Sequence, residues 1–427
     1  MEPLMENSVF VRLKSVYHEF PSQYWTLTGA SFIDMLGSAL LYPFFTLYIT
    51  KKFNVGMTQV GIIFGVMSIC AMGGTAIGGA LADRFGRKNL MLLGLVASGL
   101  SSLFLGLINR FEYVFLIAPL VGFLGNMGGP ARGAMIADIL PEEKRAQGFG
   151  MYRVVFNLAV TVGPAIGGLL AARSYFLLFV IDAVSSVITA GVLYALIRET
   201  NPEVSDREET ESMVEAFGGY GRVLRDKTFM VFLLATVLLV LVLIQVNGTL
   251  AVYLRDVHDV PEQQFGYILT LNAAMVVLFQ FAVTRRIEGL PKYLVLAAGA
   301  LLYAVGLSMY GYVGLYGLFL LAMVIVTMGE MLIAPVGQAV ATSLAPDDMR
   351  GRYMAVYSLS WAVPNAVGFT LAGLIMDHLD PRWVWYAAGI VGLISCLCFY
   401  SMHVREKSEA SSWVQPVKIE AGEVVSN

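Results

Sequence analysis

Charge is scarce in this chain: Asp, Glu, Lys and Arg together make up only 14% of its 427 residues. The formal net charge of -3 says little about partners, because in so apolar a chain the distribution of charge matters more than its sum. Cysteine is scarcer still. Cys70, Cys396 and Cys398 all lie inside apolar runs, so neither a disulfide framework nor a metal site is expected. His18, His258, His378 and His403 are dispersed, and none has the spacing of metal ligands. No glycine-rich loop ending in Gly-Lys-Ser or Gly-Lys-Thr occurs, which leaves ATP hydrolysis without a phosphate cradle. An enzyme is therefore not expected, nor a cofactor, nor nucleic acid as a partner. Arg12, Lys14, His18 and Glu19 precede the first apolar run without the three-part pattern of a cleaved signal, so that run is expected to be retained.

What is present is apolar length. Hydrophobic residues account for 57% of the chain and the mean hydropathy is +0.70, more apolar surface than a water-soluble domain needs. A helix crosses a bilayer with ~20 apolar residues. On that criterion the expected spans are 24–49, 58–82, 89–108, 112–139, 147–171, 174–196, 229–254, 264–284, 292–312, 315–340, 352–376 and 383–403. One set of connections is rich in cations, among them Arg84, Arg87, Lys88, Lys144, Arg145, Arg285, Arg286 and Lys292; the opposite set holds few. That bias predicts an integral protein of the cell membrane with the first set, and both termini, in the cytoplasm. The hydrophobic pattern breaks once, from Arg198 to Lys227. The expected organisation is a cytoplasmic segment 1–23, a first bundle 24–197, a linker 198–227, a second bundle 228–404 and a cytoplasmic tail 405–427. The linker reads as a covalent tether, with a short surface helix from Met213 to Leu224.

The two bundles are related copies. LPEEKR at Leu140 to Arg145 corresponds to APDDMR at Ala345 to Arg350, an offset of 205 residues. At that offset Pro130 meets Pro335, Tyr152 meets Tyr357, Gly163 meets Gly368, Gly168 meets Gly373, Gly94 meets Gly299 and Asp83 meets Glu288. Such internal repetition marks a duplicated architecture.

Between the second and third spans stands GGALADRFGRK, Gly78 to Lys88, a carboxylate and three cations in a very short turn. It resembles the loop after the second helix of the major facilitator superfamily, with Gly79, Leu81, Asp83, Arg84, Gly86, Arg87 and Lys88 in the family's places. The resemblance implies an all-α membrane protein of twelve transmembrane helices in two pseudo-symmetric six-helix bundles, which rock about a substrate near the midplane. It also implies a gate. Paired glycines let helix 2 approach a neighbour closely, and Asp83 meets a helix amino terminus or a cation. Arg84, Arg87 and Lys88 then tie the loop across the half-interface, with Asp138 as an acid partner at the end of helix 4. By family resemblance these contacts hold the outward-facing state, each worth about 1 kcal/mol, and break when the cytoplasmic side opens.

Helix 5 carries AVTVGPAIGG, Ala159 to Gly168. Gly163, Pro164, Gly167 and Gly168 resemble the pattern of proton-coupled exporters, with Ala159 where the first glycine usually stands, and this favours antiport. One departure counts against it. Many such exporters carry an arginine in the first half of helix 4, where this chain has Ala118 or Val121, and no cation lies between Arg110 and Arg132. Proton coupling must then use other residues, or the protein is not a proton antiporter.

Ionisable residues inside spans are functional candidates by default. Asp34 in helix 1 and Glu330 in helix 10 are the best-centred acids of the two halves, and either can carry an exchangeable proton; Arg153 in helix 5 is either a counter-ion or a headgroup contact. Candidate substrate contacts are Gln245, Asn272, Trp361 and Asn365, chosen because the family's central cavity draws on helices 7, 8 and 11. Tyr42, Phe45 and the methionines supply an adaptable apolar wall. The function expected is that of a monomeric secondary transporter exchanging protons for exported amphipathic or cationic compounds. The alternative is a symporter or facilitator for a defined metabolite such as a sugar or organic acid.

Overall fold

The computed structural model describes residues 19–200, 220–346 and 349–412. Most of the linker, from 201 to 219, lies outside the described residues, as does the side chain of Asp83. Among the described residues there is no strand. Twelve helices are long and apolar enough to cross a membrane. They are α1 (Ser22–Phe53), α2 (Met57–Phe85), α3 (Arg87–Leu107), α4 (Phe111–Ile139), α5 (Glu142–Ala171) and α6 (Tyr175–Leu196) in the first half. In the second half they are α7 (Lys227–Asn247), α8 (Glu262–Ile287), α9 (Lys292–Tyr312), α10 (Tyr316–Leu344), α11 (Arg350–His378) and α12 (Trp383–Ser412). In hydrocarbon every backbone donor and acceptor must be satisfied within the protein, and the helix does that within one segment.

Three spans are interrupted. α4 breaks at Met127, between the helical segments Phe111–Asn126 and Gly128–Ile139. α1 passes through a 3-10 turn at Tyr42–Phe44, where Pro43 withholds a backbone donor. α7 ends in a 3-10 turn at Ile244–Asn247 and resumes after Gly248 as a short helix, Thr249–His258. The sequence reads an unbroken span to residue 254. Packing explains the break: a Cβ at Gly248 would lie 2.7 Å from the Phe369 ring and 3.0 Å from Thr46, and Thr46 Oγ1 donates to the Gly248 carbonyl at 3.1 Å. The freed carbonyl is thus satisfied from the other half.

The repeat recurs in the packing. A Cβ at Gly163 in α5 would lie 2.6 Å from Ala39 in α1; at Gly368 in α11 it would lie 2.5 Å from Ile244 in α7, each partner displaced by 205 positions. Between the halves, Gly168 of α5 closes on Glu262 at the start of α8, and Gly373 of α11 closes on Met57 at the start of α2, again 205 positions apart. A buried tyrosine pair follows the same rule. Tyr48 Oη donates to Leu105 O and Tyr253 Oη to Tyr310 O, both at 2.8 Å.

The halves meet along two seams, α2 with α11 and α5 with α8. Their bonds crowd at the end away from the chain termini. There the Asp377 carboxylate accepts from Met57 N at 2.9 Å and Thr58 N at 2.8 Å, capping α2 from across the seam. Glu262 accepts from Lys51 at 3.1 Å and from Tyr175 Oη at 2.7 Å, and Arg255 donates to Thr50 Oγ1 at 3.1 Å. Toward the termini the seam thins to an exposed bond, Arg153 Nη1 to Gln338 Oε1 at 3.3 Å. Trp361 and Met72, on the two sides of the α2–α11 seam at this depth, are 49% and 48% exposed. The molecule is closed at the end away from its termini and looser toward them.

Candidate functional site

A cavity of about 470 Å³ lies between the halves. Asp34, Ser38 and Tyr42 of α1, Arg132 of α4, Pro164 of α5 and Asn272 of α8 are among its walls. Asp34 is held on both oxygens: Arg132 Nη2 donates to Oδ2 at 3.3 Å and Ser186 Oγ of α6 to Oδ1 at 2.8 Å. Arg132 also donates to Tyr152 Oη of α5 at 3.3 Å. The pair is shielded, Asp34 keeping 14% and Arg132 19% side-chain exposure, so its charges are weakly screened. Arg132 lies seven residues before the end of α4, about two turns inside the helix. The counter-ion of Asp34 is therefore Arg132, which sequence reasoning treated as a boundary and not as a partner; Arg153 bonds Gln338 instead.

The second acid reaches the same space indirectly. Glu330 Oε2 accepts from Asn272 Nδ2 at 2.8 Å, and the same amide donates to Thr327 Oγ1 at 2.9 Å. Asn272 thus connects the cavity wall to Glu330. The other amide candidates lie elsewhere. Gln245 is 5% exposed and fully engaged in packing, donating to Leu241 O and Gly368 O and accepting from Thr249 Oγ1. Asn365 donates to its own helix at Trp361 O, and Ser68 of α2 donates to the Asn365 carbonyl at 3.4 Å. Gln245, Trp361 and Asn365 do not line the central cavity.

A third acid was missed altogether. Asp182 of α6 is 5% exposed and accepts from Ser38 Oγ at 3.1 Å. The signal was available, since any carboxylate eight residues into an apolar run is a functional candidate.

In the loop motif, α2 ends at Phe85 and α3 begins at Arg87. Gly86 turns the chain with φ +90, a conformation open to glycine, and a side chain there would meet the Glu199 carboxylate at 2.5 Å. Glu199 accepts from Arg87 N at 2.9 Å and Lys88 N at 3.1 Å, capping α3. Arg87 pairs with Asp138 and donates to Ala134 O at 3.3 Å, while Lys88 Nζ donates to Tyr194 O at 2.8 Å. Arg84 is exposed over the Phe85 ring. The named partners of Arg87 and Lys88 belong to the first half, on α4, on α6 and at Glu199. The expected tie across the half-interface is not made by Arg87 or Lys88 here, whereas the expected Arg87–Asp138 pair is present in a structure loose at that end. Geometry is the reason, because both cations leave the first turn of α3 beside the ends of α4 and α6. Close approach in this region falls on Gly78, where a Cβ would lie 2.3 Å from Met127 O, whereas at Gly79 the nearest atom is Pro130 Cβ at an ordinary 3.9 Å.

The helix-5 motif serves two contacts. Gly163 and Gly167 admit α1, Gly167 lying where a Cβ would be 2.5 Å from Leu40 O, and Gly168 admits α8. Pro164 faces the cavity.

A family model described as the Major Facilitator Superfamily matches residues 27–288 and 243–421. Over 377 residues the chain is 28% identical to a Na(+), Li(+), K(+)/H(+) antiporter of Planococcus maritimus, covering 82% of this chain and 87% of that protein. It is 24% identical over 373 residues to the multidrug resistance protein MdtH of Shigella flexneri, covering 85% and 90%. Among solved structures, the nucleoside transporter NupG superposes with a TM-score of 0.77 at 13% identity, over 89% of this chain and all of that one (100%), a likeness of fold alone.

Proposed function

Because the chain belongs to the Major Facilitator Superfamily, and so is an integral membrane transporter and not an enzyme, we propose that it is a proton-coupled antiporter that exports amphipathic or cationic compounds by alternating access. The observation that carries this reading is the Asp34–Arg132 pair in the wall of the central cavity. A proton on Asp34 cancels the charge that holds Arg132. A cationic cargo beside Asp34 does the same by competition. The two ligands therefore oppose each other at one carboxylate, and antiport requires that negative coupling. Glu330, reached through Asn272, provides a second acid from the other half. The names of the Planococcus and Shigella relatives agree with this class of exchange.

With the cation-rich connections in the cytoplasm, the structure is closed toward the outside and its looser end faces the cell interior, the state in which an exporter collects cargo. Domain limits at 24–197 and 228–404 belong to this reading, with six helices assigned to each half. In this reading the loop residues Gly79, Asp83, Arg84, Gly86, Arg87 and Lys88, with Asp138, brace the cytoplasmic end of the first half as one body. The small residues of α5 form the seam about which the halves rock.

A second cargo class has support of its own. The cavity wall presents carboxylate, hydroxyl and amide oxygens, the ligands that hard monovalent cations prefer, and the Planococcus relative is named for such ions. The deciding experiment is uptake into inside-out vesicles under an imposed pH gradient, screened over cationic dyes, Na+, K+, sugars and organic acids. Gradient-driven uptake of dyes or alkali ions supports antiport and picks the cargo; uptake of a sugar or organic acid that ignores the gradient replaces antiport with facilitation.

A further inference from the structure

Beside the central cavity, and inside the first half, lies a second space of about 410 Å³ bordered by α1, α2, α3, α4 and α6. It shares Ser38, Tyr42 and Asn126 with the central cavity, so the two adjoin through one wall. Asp182 stands at its α6 side. The carboxyl is 5% exposed, and the contacts that reach it are hydroxyls. Ser38 donates to Oδ1 at 3.1 Å. Ser102 of α3, also 5% exposed, faces the same carboxyl, yet its oxygen completes no hydrogen bond of good geometry. The charged group that faces Asp182 from α1 is Asp34, of like sign and already engaged by Arg132. From α3 come Ser98 and Ser102, and from α4 Asn126, with no charge.

A buried carboxylate of this kind lacks a counter-charge, and in a membrane interior that deficit is costly. Hydroxyl oxygens can donate one hydrogen bond and still present lone pairs to a cation. Ser102 Oγ is buried against the same carboxyl, and its lone pairs remain to coordinate a cation. We propose that Asp182, with Ser38 and Ser102, is a monovalent-cation site, taking a proton or an alkali ion, that opens from the central cavity and exchanges its ion with it past Ser38. The site deepens the antiport reading and rests on it for its consequence in transport, though not for its chemistry. Asp34 then senses cargo while Asp182 stores the ion that is exchanged. Ser38, one helical turn from Asp34 on α1, joins the two.

Infrared difference spectroscopy on the purified full chain tests this directly, because a protonated carboxyl has a stretching band that an ionised one lacks. Spectra are recorded between about pH 5 and pH 9 in choline, Na+ or Li+ chloride, for the wild type, Asp182→Asn and Asp182→Glu. The expected result is a carboxyl band in choline that Asp182→Asn removes and Asp182→Glu moves. If Asn fails to yield folded protein, the shift in the Glu variant still assigns the band. Bleaching of that band by Na+ or Li+ at fixed pH identifies an alkali ion as occupant; bleaching by rising pH alone identifies the proton. A spectrum that neither substitution alters overturns the proposal. So does a band that no salt and no pH in the range removes, since a permanently neutral acid exchanges nothing. The two readings separate in vesicles: an exchanging Asp182 band in a wild type without gradient-driven export leaves the site standing and sinks antiport.

Discussion

The two halves of this transporter share their packing but not their chemistry. Displaced by 205 positions, Gly163 and Gly368 admit equivalent neighbours, and Tyr48 and Tyr253 donate to equivalent carbonyls. The polar centre of the first half has no such copy. Asp34 falls in line with Leu239 and Arg132 with Gly337, while Asp182 aligns with the alanines around Ala387. In the reverse direction Glu330 corresponds to Gly125 and Asn272 to Met67. Helix packing constrains small residues on both copies alike, because both must close the same seams. The first half acquired a charge pair with hydroxyls, the second a single acid held by an amide.

That asymmetry predicts unequal losses. The largest is expected at Asp34 and Arg132, since removing one partner of a shielded pair leaves the other uncompensated. Arg132→Ala should abolish gradient-driven export and lower stability by roughly 2 kcal/mol, discounted from the fully buried case because both groups keep some exposure. Asp34→Asn should abolish export with a smaller stability loss. Vesicle transport and thermal unfolding in detergent measure the two effects. Equal, mild losses at both positions would place coupling outside the first half.

Glu330→Gln comes next. Its partner is the neutral Asn272 amide, which can also bond a glutamine, so export should fall severalfold without collapse. A loss as complete as that of Asp34→Asn would show that the second half carries coupling equally, and the contrast between the halves would fail.

These side-chain arrangements were only partly legible in the sequence. Apolar runs located all twelve spans, since length and hydropathy are what a bilayer selects, with the ends of α7 and α12 misplaced by 7 and 9 residues. The break at Gly248 escaped that reading because it depends on Phe369 and Thr46, which arrive from elsewhere in the chain. Arg132 lay inside the expected span 112–139, yet no one-dimensional pattern shows that it turns toward Asp34 of α1. Tyr48 and Tyr253 sat at the repeat offset unread. Gln245 looked like a cavity amide, but whether an amide lines a cavity or bonds helices depends on which way it faces, and no one-dimensional pattern encodes that.

A smaller effect belongs to the closed end. Asp377 caps α2 across the seam with two bonds from backbone amides, and a carboxylate at a helix amino terminus is worth about 1 kcal/mol. Asp377→Asn should therefore shift the balance between inward-open and outward-open molecules by about fivefold toward outward-open. Electron–electron distance measurements between spin labels at Glu112 and Asp380, one on each half at this end, read the shift as a longer distance. An unchanged distribution would mean that the seam is held by its apolar and small-residue contacts alone.

The smallest effect is expected at the loop motif, where it separates two physical pictures. If Arg87 and Asp138 latch the halves together, breaking them changes the conformational balance; if they brace one half internally, breaking them costs stability and leaves the balance alone. Their partners all lie in the first half, which favours bracing. Arg87→Ala, Asp138→Asn and the double variant should give a coupling energy of about 1 kcal/mol in thermal unfolding. Labels at Glu112 and Asp380 should report the wild-type distances in all three. The stability loss should be similar whether or not cargo is present, because a brace within one half is indifferent to which side is open. A shift in those distances with little loss of stability would restore the latch. Transport defects at Arg87 would then arise from a biased equilibrium and not from a loosened first half.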